Sequence, residues 1–167
     1  MVPVAAVLAL AVVRPGVSDP VTPGMEIVQS SVEAIQPGTY DIDVVHSELS
    51  FRIRHLIGRV AGNFTEWEGT LELDPSDLSG GSVEVVIQTA SINTHQEQRD
   101  DHLRSPDFFA ADSFPTIEYR SRRVDVEGNR LKIHGDLTIR GVTQPVVLDT
   151  EYDGQIVDAY GQDRASF

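Results

Sequence analysis

From residue 38 onward the chain alternates apolar and polar residues with a period of two, the spacing of strands that turn one face to a core. Residues 39–45 (TYDIDVV) predict a first strand. Residues 48–56 (ELSFRIRHL) set Phe51, Ile53 and His55 on one face and Arg52 and Arg54 on the other. Residues 58–74 (GRVAGNFTEWEGTLELD) read as one long, bent strand. Phe64 and Trp67 are three apart, a break in the alternation that predicts a bulge. Beyond it Trp67, Gly69, Leu71 and Leu73 share a face. Residues 82–93 (SVEVVIQTASIN) align Val83, Val85 and Ile87. Three further strands follow over 116–128, 129–141 and 142–154, with Ile117 aligned with Tyr119, and Leu131, Ile133, Leu137 and Ile139 in one row. Gly and Asn stand where tight turns need them. Six to eight such strands in a meander make a sandwich or a closed barrel, so the expected fold is mainly all-β.

One connection breaks the pattern. Residues 94–115 (THQEQRDDHLRSPDFFAADSFP) carry helix signals. Thr94 with Glu97 three residues on predicts a capping box, EQRDDHLR contains good helix formers, and Ser105-Pro106 stops the helix and starts another turn. A short helical connection over 94–112 is expected between two strands.

Residues 1–37 read as an N-terminal extension and linker ahead of a domain spanning 38–167. Residues 1–13 (MVPVAAVLALAVV) are an apolar run of signal-peptide length, too short to span a bilayer as a helix. They lack a basic segment before the run, so a remnant of an export signal and a plain extension both fit, and compartment stays open. Residues 14–24 are rich in proline and glycine and predict a linker; residues 25–35 suit a short helix or a strand.

The 167 residues carry a formal net charge of -13. That argues against a nucleic-acid partner, which needs a concentrated basic surface, and against docking on anionic membranes. With no cysteine, disulfides, thiolate metal sites and cysteine nucleophiles are excluded. His95 and His102 are seven apart, about two helical turns, which is poor spacing for joint metal ligation. Asp100, Asp101 and His102 are adjacent, so they do not share one helix face, and a local ion pair is the preferred reading of them. Arg99 and Arg104 suit structural bridges from the helix to the barrel rim, or contact with an anionic headgroup. Phe108, Phe109 and Phe114 either plug one end of the barrel as core or line the mouth of an apolar cavity; both readings use the same residues. A barrel of about eight strands has room for side chains or one small ligand.

Four segments carry a family resemblance: DVVHSELSFRIRHL, VAGNFTEWEGTLELD, SINTHQEQRDDHLRSPDFFAADSFPTIEYRS and HGDLTIRGVTQPVVL. They resemble the YceI-like family of lipocalin-like, polyisoprenoid-binding bacterial proteins, from Gly38 to the end. The most specific string is Arg99, Asp100, His102, Leu103, Ser105, Asp107, Phe108 and Phe109; His46-Ser47 and Gly135, Leu137, Thr138 and Gly141 match further signatures. The resemblance implies a lipocalin-like antiparallel β-barrel of about eight strands with a helical connection packed on it. It further implies a long apolar ligand inside (a polyisoprenoid, a quinone-like lipid or a fatty amide), no cofactor and no enzymatic activity; the histidine spacing above leads to the expectation of no metal site. The sequence stops at GQDRASF, where family members continue, so the last strand is expected to be incomplete and to leave an edge open to a second copy in a homodimer.

Strand parity then gives the expected ligand lining: Phe51, Ile53, Phe64, Trp67, Leu71, Val85, Ile87, Ile117, Tyr119, Ile133, Leu137 and Ile139, with Phe108, Phe109 and Phe114 at one end. Arg99, His102 and His46 are the candidates for a polar headgroup. The function expected is binding, transport or sequestration of an apolar lipid, without stable membrane insertion. Two rival readings are a lipid-modifying enzyme using His102 with Asp100, and a stress-related interaction module whose barrel is filled with side chains.

Overall fold

The computed structural model describes residues 5–9, 11–13, 37–55, 58–74 and 80–167. The linker expected over 14–24, the segment 25–35 and most of the loop after residue 74 lie outside the described residues. The fold is all-β with one helix. Its strands are β1 (Ala5–Ala9), β2 (Ala11–Val13), β3 (Gly38–Ile42), β4 (Glu48–His55), β5 (Gly58–Phe64), β6 (Trp67–Leu73) and β7 (Ser82–Gln88), then β8 (Ile92–Asn93). Helix α1 (Glu97–Arg104) follows, and then β9 (Thr116–Glu127), β10 (Arg130–Ile139), β11 (Val142–Glu151), β12 (Gly154–Val157) and β13 (Asp163–Ser166).

Nine strands form one antiparallel sheet in the order β11-β10-β9-β7-β6-β3-β2-β13-β12, and four form a second, β1-β4-β5-β8. The edge strands β11 and β12 of the large sheet are joined by only Tyr152 and Asp153. The sheet therefore curls until its two edges approach, the lipocalin-like arrangement.

The bulge expected between Phe64 and Trp67 is instead a corner. β5 belongs to the small sheet and β6 to the large one, with Thr65 and Glu66 between them. The neighbouring chain turns at the same level: residues 82–93 split into β7 and β8 around a 3-10 turn at Thr89–Ser91. Backbone hydrogen bonds from Thr65 to Ser91 (3.2 Å) and from Gln88 to Glu66 (2.9 Å) tie the two corners together, so the backbone groups released by the bend stay paired. The small sheet continues the strands of the large one past this bend. These corners, the paired strands β1 and β2 and the hairpin β12–β13 explain why the described residues hold thirteen strands where about eight were expected.

The core follows the predicted parity. Tyr40, Leu71, Val83, Val85, Ile117 and Leu131 are all at most 5% exposed, on the concave face of the large sheet. Ladder pairs Leu71–Val83, Val85–Tyr119 and Ile87–Ile117 stack them across strands. Each fully buried side chain of this kind contributes roughly 1.5–3 kcal/mol. Gly135 fits this packing because a Cβ there would lie 2.5 Å from the Tyr119 ring and the Arg120 carbonyl. The ladder shifts by one residue at His134/Gly135, and the Tyr119 hydroxyl donates to the Ile133 carbonyl at 2.8 Å.

Candidate functional site

The helical connection closes one end of the barrel. Its cap differs from the expected box. Gln96, not Thr94, is the N-cap, and its side-chain oxygen accepts from the Arg99 amide. Thr94 is unavailable because Asp100, buried at 5% exposure, accepts from its amide (2.9 Å) and its hydroxyl (2.5 Å). Arg99 closes the knot, donating to the Thr94 hydroxyl oxygen (2.6 Å) and carbonyl (2.8 Å). Arg104 donates to the carbonyls of Ala90 (2.8 Å) and Ile92 (2.9 Å) and pairs with Asp101 at 3.0 Å. Both arginines thus serve as bridges to the strand ends beneath the helix.

The three phenylalanines have different fates. Phe109 packs inward, its ring edge-on to Phe64 at 6.3 Å, and Phe64 in turn meets Phe51 at 5.7 Å. Phe114 is partly buried beside Gly141, the turn between β10 and β11, whose φ of 71° and contact with the Phe114 ring both suit glycine. Phe108 is 48% exposed and lies edge-on to the His102 ring at 4.8 Å. Its carbonyl accepts from Arg140 at 2.7 Å, which ties the connection to the same β10–β11 turn.

The expected lining divides likewise. Phe64, Leu71, Val85, Ile87, Ile117, Tyr119 and Ile133 are buried in the core, and Trp67, Leu137 and Ile139 pack against it half-buried. Phe51 and Ile53 are half-buried on the small sheet. Buried side chains of the described residues occupy the interior they enclose. An apolar cleft of about 30 Å³ opens at the end opposite the helical connection. There Leu71 and Ile133 are joined by Leu73, Val124, Leu131 and Phe167, which the sequence reading left out of the lining. Leu73 and Leu131 share the parity of Leu71 and Ile133, so alternation alone could have found them; no sequence signal marked Phe167.

His46 and His102 stand outside this interior. His46 Nδ1 is 2.7 Å from Asp43. Asp43 also accepts from Arg164 (2.6 Å), and Arg164 donates to Asp158 (2.7 Å), a chain that fastens the β12–β13 hairpin to the turn after β3. Burial pushes Asp43 up, but hydrogen bonds from His46 and Arg164 outweigh it and hold its carboxyl below the usual range. His102 is exposed, with Nε2 3.7 Å from Asp107. Its partner is therefore Asp107, while Asp100 is engaged with Thr94. Burial, aided by the Asp136 carboxylate, pushes the Tyr119 hydroxyl up to about 12. Among the described residues no three His, Asp or Glu side chains converge as metal ligands, and no helix is long and apolar enough to cross a membrane.

The YceI-like domain family matches residues 40–167. The chain belongs to the YceI-like family. It is 34% identical over 148 residues to a UPF0312 protein of Vibrio cholerae, covering 86% of this chain and 78% of that protein. It is 39% identical over 123 residues to Protein YceI of Shigella flexneri, covering 73% and 64%. Among solved structures, the YceI protein of Campylobacter jejuni aligns with a TM-score of 0.59 at 34% identity over 72% of each chain. BcnA of Burkholderia cenocepacia aligns with a TM-score of 0.63 over 75% of this chain and 96% of that one; at 19% identity the likeness is one of fold. None of these YceI-like relatives is named for a catalysed reaction.

Proposed function

We propose that this YceI-like chain binds a long-chain apolar lipid, a polyisoprenoid, quinone-like lipid or fatty amide, along the apolar face of its large sheet, for transport or sequestration. The observation that carries this reading is the asymmetry of the barrel: a continuous apolar wall, hydrogen-bonded shut at the helical connection, with an apolar cleft bordered by Phe167 among the described residues at the other end. The lipid passes through that end by displacing Phe167 and its neighbours. Each methylene buried is worth ~0.8 kcal/mol, so a ten-carbon tail gains about 8 kcal/mol before an association cost of roughly 4–15 kcal/mol. Break-even therefore falls between about five and about nineteen carbons, and a chain of about twenty or more binds across the whole range of that cost. A second copy would add at β11, an edge strand of the large sheet.

The filled interior favours one rival, an interaction module with no ligand. Extraction of the purified chain with organic solvent and mass spectrometry separates the two. A co-purified lipid is expected, together with a change in fluorescence of Trp67, the single tryptophan, on titration with a long prenyl alcohol. An empty extract and an unchanged Trp67 signal would leave the interaction module. Turnover of the bound lipid that disappears in His102→Ala would support the enzyme instead.

A further inference from the structure

The outer face of the small sheet carries a feature that lipid carriage does not use. A groove of about 660 Å³ runs over β4 and β5, within the usual size range of small-molecule sites. Arg52, Arg54 and Arg59 line it and are exposed. Arg54 and Arg59 are directly opposite each other in the β4–β5 ladder, and Arg52 faces Ala61 two residues along. Like charges directly opposite across strands destabilise the pair. Among the described residues, none of the three has an ion-pair partner. By contrast Arg104, Arg120, Arg122, Arg123 and Arg164 are paired with carboxylates; Arg99 and Arg140, which have no ion pair either, donate to hydroxyl or carbonyl oxygens, and Arg130 sits across from Glu127 and Glu151 in its ladders. The chain carries a net charge of -13, so carboxylates are plentiful, yet among the described residues Arg52, Arg54 and Arg59 stand together without one, an arrangement that costs stability.

Two further groups point the same way. Asn63, on the same face, has its side-chain oxygen buried without a partner. A ligand reaches this amide once the side chain turns toward the groove, where exchanging oxygen and nitrogen presents a donor to an oxyanion. His95 adds a ring nitrogen at the Asn63 side, held by a positive φ of 59° and a hydrogen bond from its amide to Asn93. The acidic residue of the groove, Glu48, lies six residues from Arg54 along β4, roughly 20 Å in an extended strand, so the groove is positive at one end and negative at the other.

We propose that this groove binds an anionic small molecule through a phosphate-type oxyanion held by Arg52, Arg54 and Arg59. The guanidinium forks suit bidentate contact with such a group. The oxyanion belongs to a soluble phosphorylated compound or to the headgroup of an amphiphile; Phe51 and Ile53 of the expected lipid lining also border the groove, but the arginines that hold the oxyanion are not part of that lining.

The test is calorimetric titration of the full chain with inorganic phosphate and pyrophosphate in one arm, and with dodecyl phosphate below its micelle concentration, against dodecanol, in the other. Saturable binding is expected in both arms and none to dodecanol at this site. Clearly tighter binding of dodecyl phosphate assigns an amphiphile; equal binding assigns a soluble compound. The double variant Arg54→Gln/Arg59→Gln should weaken the anion about tenfold or more. Its thermal midpoint without anion should equal or exceed that of the parent chain, because the opposed charges are gone, and its upward shift with pyrophosphate should vanish. Absence of saturable anion binding, or binding unchanged in the double variant, overturns the proposal. An empty lipid extract does not bear on it.

Discussion

The two ends of the barrel are closed by different means. At one end the helical connection is fixed several times over: the Arg99–Thr94–Asp100 knot, the Arg104 bonds to two carbonyls, the Arg140 bond to Phe108, and Phe109 seated on Phe64. At the other end Phe167 leans on Tyr152 at 5.4 Å over an apolar cleft, and the hairpin that carries it is fastened by the Arg164 ion pairs. An end held by directional bonds and packing together opens only with the fold, whereas one held by contact area and a surface charge network opens locally at lower cost. On the proposed reading, the first end is a stopper and the second a door.

The largest effect that separates them is a cavity at each. Phe64→Ala removes the ring that joins the small sheet to Phe109, and should cost about 3–5 kcal/mol in denaturant unfolding. Phe167→Ala, at a partly buried position, should cost no more than about half of that while speeding lipid exchange. Equal losses at the two sites would mean that the ends do not differ as described.

The strands of this core were legible because period-2 alternation directly encodes which face is buried. It placed Val83, Val85, Ile117, Leu131 and Ile133 correctly, and the structure buries all of them. Alternation is silent about where a strand leaves one sheet for another. Phe64 and Trp67 break it equally for a bulge and for a corner, and the difference lies in the partner strand, which bends at Thr89–Ser91. The helix was legible from its composition. Its cap was not, because Thr94 is claimed by Asp100, and no local rule shows that an aspartate six residues away will turn inward. The door was illegible for a similar reason: Phe167 is isolated in sequence, and its role depends on Tyr152, in the connection between β11 and β12, and on Leu131 of β10.

A smaller effect tests whether the stopper's polar knot holds it. Asp100→Ala leaves the buried Thr94 amide and hydroxyl without their acceptor and should cost about 1–3 kcal/mol. Asp100→Asn keeps an acceptor oxygen and should cost less. Hydrogen exchange should show the loss concentrated over 94–115. A loss spread evenly over the large sheet would instead make the knot part of the global core.

The smallest effect is expected from pH and acts on the door. Asp43 has a folded-state carboxyl held below its ordinary value, as burial is outweighed by the bonds from His46 and Arg164. Asp158 is lowered too, first by the Gln162 amide and then by Arg164. A carboxylate whose pKa is depressed on folding adds stability above its unfolded value, about 3.9 for aspartate, and loses it as pH falls through the folded value. Stability from this pair should therefore be constant near neutrality and decline only below about pH 4. The sum is modest because Arg164 is partly exposed and its pairs are screened. Hydrogen exchange at pH 3 should show β12 and β13 opening while the helical connection stays protected. Asp43→Asn should open the hairpin already at neutral pH, because the charge that ties Arg164 to the turn after β3 is gone at every pH, while Asp158 holds Arg164 only within the hairpin. If the hairpin in that variant still opens only in acid, Arg164 is not the latch.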